Sequence, residues 1–255
     1  MHYVRGALFL ALTLIAAGCA TPQQGTQGSL PQTITYRTTT GNQATISGGN
    51  AAVALALVET LRRNYAAAVR LSTTAINSGQ LAGNDLAQAH AVRGDAYFFG
   101  GDAAKARDDW RKAVEMNAAN TIGLRGMALI SHMQRKENDA IQYMDRAIAT
   151  APNLAALYVL RGQIRLDDRR AVALAIADFE KAIAIKPDLA VAYFYRGLAH
   201  HLNGRFSQAK VDYEKALEIN PAESRARAAL GLLERRRAPD ENLRPRRGPS
   251  DVVQF

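Results

Sequence analysis

With 255 residues, 48% hydrophobic and 7% aromatic, the chain can fill one extended core but is marginal for two globular domains. An alanine-rich composition with few β-branched runs points to helices, and a lone cysteine excludes a disulfide framework. The formal charge of +9, carried mainly by arginine, fits acidic proteins, anionic lipid, nucleic acid or simply a solvated basic surface.

The N-terminus carries one positive charge, Arg5, then an apolar run of 11 residues from Ala7 to Ala17. That run is shorter than the roughly 20 residues a spanning helix needs, and it suits the apolar core of a signal peptide. The segment Ile15-Ala16-Ala17-Gly18-Cys19 resembles a bacterial lipobox, although Ala16 stands where leucine is usual. The resemblance implies cleavage before Cys19, lipidation of its thiol and acylation of the new amino group. A plain secretory signal is the competing reading. Ala20, rather than aspartate, after the cysteine implies sorting to the outer membrane, on its periplasmic side. Removal of residues 1–18 takes away Arg5 alone, so the charge falls from +9 to +8. Nucleic acid is not expected as a partner in that compartment.

Residues 19–48 are rich in Gly, Thr, Gln and Ser, which favours a flexible tether with a reach of roughly 30 Å. Within it, Thr33 to Thr38 alternates in polarity and could instead add as an edge strand to a partner.

From 49 to 237 the chain repeats itself. Gly94, Ala128, Gly162, Gly197 and Gly231 are spaced by 34, 34, 35 and 34 residues. The same step relates Trp110, Met144, Phe179 and Tyr213, as well as Ala113, Ala147, Ala182 and Ala216. Ala106, Ala140, Ala175 and Ala209 follow, and Pro152, Pro187 and Pro221 close three units. A degenerate first unit carries Ala56, Ala68, Ser72 and Ala75, and the insert Leu81 to Leu86 separates it from the second. Each unit reads as two helices about a turn, and a last helix from Ser224 to Arg237 reads as a polar cap.

These positions resemble the tetratricopeptide repeat over about three quarters of the chain. The resemblance implies an all-α solenoid of about five helix-turn-helix units plus a C-terminal capping helix. Its small residues would let helices approach, and its aromatics would fill the gap between them. Arg93, Arg161 and Arg196 precede the close-approach glycines of three units, and Asp109, Asp178 and Asp212 occupy the matching place on the second helices. In the other two units both members change together, to Leu55 with Leu71 and Met127 with Tyr143. This covariation predicts a direct contact between the two helices of each unit.

No catalytic motif stands out. The histidines (His2, His90, His132, His200 and His201) form no HExxH motif, and there is no phosphate loop or nucleophile elbow. No enzyme activity, metal, cofactor or small-molecule substrate is expected. By the resemblance, a protein-binding groove is lined by Phe98, Phe99 and Asp95 in the second unit, and by Arg125, Leu129, His132 and Met133 in the third. Val159, Gln163, Leu166 and Asp167 line it in the fourth, and Phe194, Leu198, His201 and Leu202 in the fifth. The asparagines and lysines of a carboxylate clamp are missing, which disfavours an acidic chaperone tail. Apolar anchors of a helix or an extended peptide fit better. The competing readings are aromatics packed between units, or a groove filled by residues 20–48.

Pro239, Pro245, Pro249 and three arginines make 238–255 a disordered tail, whose Val253-Gln254-Phe255 terminus a PDZ-type domain could capture. The expectation is a non-catalytic, lipid-anchored adaptor for envelope proteins, serving the assembly of a pilus or secretin system. The alternatives are an adaptor for peptidoglycan hydrolases or envelope proteases, and a structural tether that oligomerises.

Overall fold

The computed structural model describes residues 33–37 and 43–237, with side chains from residue 48 to 235 apart from residue 169. Cys19, the signal peptide and the C-terminal tail lie outside the described residues. Within the expected tether, strands β1 (Thr33–Arg37) and β2 (Gln43–Ser47) form an antiparallel hairpin, with Thr33 opposite Ser47 and Arg37 opposite Gln43. The hairpin lies against helix α1 (Gly48–Leu61), so this stretch pairs within its own chain instead of waiting for a partner's sheet.

Helices then follow in pairs: α1 with α2 (Tyr65–Asn77), α3 (Gly83–Phe99) with α4 (Ala103–Met116), and α5 (Thr121–Met133) with α6 (Glu137–Thr150). The fourth pair is α7 (Ala155–Arg165) with α8 (Val172–Ile185), joined through a 3-10 turn at Arg169–Ala171. These four pairs belong to one compact unit, which ends at Pro187. A second unit begins at Asp188 and holds the fifth pair, α9 (Ala190–Leu202) with α10 (Phe206–Ile219), followed by α11 (Ser224–Arg237). No helix among the described residues is long and apolar enough to cross a membrane. The presumed insert at Leu81 to Leu86 largely forms the first turn of α3. Leu81 is buried there because it covers Gly49, in a cluster with Ala52, Ala56 and Ala68.

The periodic small residues set how closely the helices approach. A methyl group added at Gly94 would lie 2.6 Å from the Trp110 ring, and one at Gly126 would lie 2.0 Å from it. Both distances are impossible for a real Cβ, so the indole is fully buried between two glycine-bearing helices. Gly162 stands in the same relation to Phe179, and Gly197 to Tyr213. Where the repeat carries Ala128, its aromatic place holds Met144, an unbranched side chain that adapts to the extra methyl. Gly231 meets nothing within contact distance.

The predicted ionic pairs form. The Arg93 guanidinium donates to both Asp109 oxygens, at 2.7 and 2.9 Å. Arg196 grips Asp212 in the same way, at 2.9 and 2.7 Å, and Arg161 donates from Nε to Asp178 at 3.1 Å. Two of these arginines also reach back to the preceding pair: Arg93 to the Thr73 hydroxyl at 3.1 Å, and Arg161 to Asp145 at 2.6 Å. Burial pushes the Asp109 carboxyl up, but hydrogen bonds from Arg93 and His90 outweigh it and hold the group below its ordinary value. Met127 and Tyr143, the apolar substitute in the third pair, line one surface pocket.

Candidate functional site

The groove residues sort by their place along the first helix of each pair. At the fifth repeat position, Arg125, Val159 and Phe194 are all buried. At the ninth, Asp95 and Leu129 are buried, while Gln163 and Leu198 are half-buried. The twelfth and thirteenth positions open up. Phe98, Phe99, His132, Leu166 and His201 are half-buried, Met133 is 51% exposed and Leu202 is 46% exposed. Accessibility therefore rises toward the C-terminal ends of the first helices. In the first three pairs the first helices pack side by side, α1 on α3 and α3 on α5, which closes Asp95 and Arg125 between them.

This corrects five expected contacts. Asp95 accepts a hydrogen bond from Trp110 Nε1 at 3.1 Å and an ion pair from Arg125, so both charges serve the junction between α3 and α5. Burial pushes the Asp95 carboxyl up, against the pull of the Arg125 guanidinium and the indole. Leu129 and Val159 are core residues. Phe194 packs edge-on against Tyr195 and lies beneath Arg225 of α11, whose guanidinium is 4.8 Å from its ring centre. None of the five is available to a partner.

In the first unit, Phe99 stacks on Tyr65 with ring centres 6.0 Å apart. Phe98 meets Phe99 edge-on at 5.7 Å and leans on Trp110 at 5.3 Å. These aromatics thus join the helix ends to the core while keeping part of their surface open. Met133 closes α5 as an open apolar side chain. Gln163 has a buried Nε2 without a hydrogen-bond partner. In the second unit, His201 stacks edge-on against Phe206 at 5.3 Å, and Leu202 stands open beside it in sequence. Such helix ends can bind apolar side chains.

Two features escaped the sequence reading. One is a pocket of about 410 Å³ lined by residues of α4, α5 and α6, among them Arg107, Met127, Ile130 and Tyr143. Its only sequence signal is the exchange of the Arg–Asp pair for Met127 and Tyr143. The other is a cluster of His132, Glu137 and Asp167, whose ligand atoms lie within 4.8 Å of one another. Intervals of 5 and 30 residues match no metal motif; one turn joins His132 to Glu137, and the repeat step brings Asp167 to them.

A family model for the tetratricopeptide repeat matches residues 190–222, the fifth pair. The fold is similar to a crystal structure of MamA, with 22% identity and a TM-score of 0.53 over 69% of this chain and 93% of that one. It is likewise similar to YrrB, described as a TPR protein with an unusual peptide-binding site. Here identity is 18% and the TM-score 0.53, over 71% of this chain and 91% of that one. No curated protein matches the sequence.

Proposed function

From the premise that this chain is a tetratricopeptide-repeat protein, we propose that it is a non-catalytic scaffold that binds envelope proteins through the open ends of its first helices. The observation that carries this reading is the accessible apolar side chain at the end of a first helix in three of the pairs: Phe99 and Met133 in the compact unit that ends at Pro187, and Leu202 in the one that follows. Apolar side chains left open at helix ends offer anchor sites, which suits an amphipathic helix or an extended peptide. The peptide-binding site named for YrrB supports the same class of ligand. The lipobox-like segment at Cys19 supports a lipid anchor, and Ala20 supports the outer membrane facing the periplasm. Several acyl chains on one residue hold a protein at a bilayer stably, at about 0.8 kcal/mol per buried methylene. There the scaffold assists assembly of envelope machinery such as a pilus or secretin system.

The test pairs a binding variant with a packing variant. Met133→Asp with Leu202→Asp, at side chains 51% and 46% exposed, keeps the unfolding curve of the parent and loses the envelope protein that the parent captures. Phe194→Asp buries a charge and lowers stability itself, so its loss of capture is uninformative. Capture unchanged in the double variant refutes the groove. Cys19→Ser moves the chain from the membrane fraction to the soluble one; unchanged membrane association refutes the anchor.

A further inference from the structure

We propose that His132, Glu137 and Asp167 form a binding site for a divalent transition-metal ion of the zinc class, bridging the turns of the third and fourth helix pairs. His132 lies in the last turn of α5, Glu137 is the first residue of α6, and Asp167 follows α7, so one ion would tie two successive pairs together. An imidazole with two carboxylates is a donor set that zinc accepts, with three protein ligands leaving one coordination position open.

The spacing accommodates a metal as well as an ion pair. His132 Nε2 lies 3.5 Å from Asp167 Oδ2, beyond the roughly 2.7–3.2 Å of a good hydrogen bond. It is close to the edge of about 3.4 Å expected between ligands of a tetrahedron with bonds of about 2.0–2.1 Å. The other ring nitrogen, Nδ1, is buried without a hydrogen-bond partner. Coordination through Nε2 therefore costs the ring no ordinary hydrogen bond and leaves Nδ1 carrying the proton. Arg135 is the competitor: its Nη1 also lies 3.5 Å from Asp167 Oδ2. Its side chain is 79% exposed, so it can swing into solvent as the ion enters. Asp167 is 43% exposed, which leaves a path for entry. This inference stands independently of the groove reading.

Calorimetric titration of the untagged, chelator-treated full chain with zinc chloride in detergent provides the test. One saturable zinc site is expected. His132→Ala and Asp167→Asn weaken it by about tenfold or more, since each removes a ligand. Arg135→Ala leaves it as tight or tighter, because the competing cation is gone. Helical circular dichroism checks that each variant is folded, and the two ligand variants serve as independent tests. Absence of saturable binding, or equal binding by the folded His132→Ala variant, overturns the proposal, and the cluster is then an ion-pair network only.

Discussion

The closest tolerances lie around single side chains. Trp110 is confined between Gly94 and Gly126, and a methyl at Gly126 has no room to be absorbed. Gly126→Ala is expected to destabilise the fold by about 1–3 kcal/mol, the usual cost of overpacking, even though alanine favours helix. Denaturant unfolding measures this, and an unchanged midpoint would contradict the packing account. Asp109 sets a second expectation. Its carboxyl is held below its unfolded value of about 3.9, so its contribution is fully present above that pH. It is lost as pH falls through the lower folded value. Asp109→Asn should therefore reduce stability at neutral pH and flatten its fall below about pH 4, as read from unfolding curves across that range. The period-34 register shows the Arg93–Asp109 pair in advance; it does not show that Asp95 and Arg125 belong to the core.

At the scale of elements, α11 has no second helix of its own among the described residues. Arg225 binds Glu223 at 2.7 Å and the Tyr195 hydroxyl at 3.1 Å, and it covers the Phe194 ring. Ending the chain after residue 223 uncovers these aromatics. Amide hydrogen exchange should then speed up in α9 and α10, while α3 to α6 keep their protection, because repeats stabilise chiefly their neighbours. Equal loss in both regions would mean that stability is shared more widely. Helix boundaries were legible where caps and prolines stand. Asp102 and Asn120 accept hydrogen bonds from the backbone N–H of Lys105 and Gly123, and Pro152, Pro187 and Pro221 each follow the end of a helix. The start of α3 was not legible, since Gly83 and Asn84 read as loop residues while Leu81 anchors the turn from the core.

For the whole molecule, the sequence by itself determined the all-α repeat class, the pairing of helices and the partners of three conserved-register arginines. A period repeated four times averages out local noise, and each unit restates the same contacts. Only the tertiary structure decided which face remains open. Burial depends on what packs beside a residue, so the fifth position closes and the thirteenth stays accessible for reasons no single repeat contains. The same holds for His132, Glu137 and Asp167. His132 and Glu137 flank one turn, and the repeat step carries Asp167 from the next turn to within 4.8 Å of them.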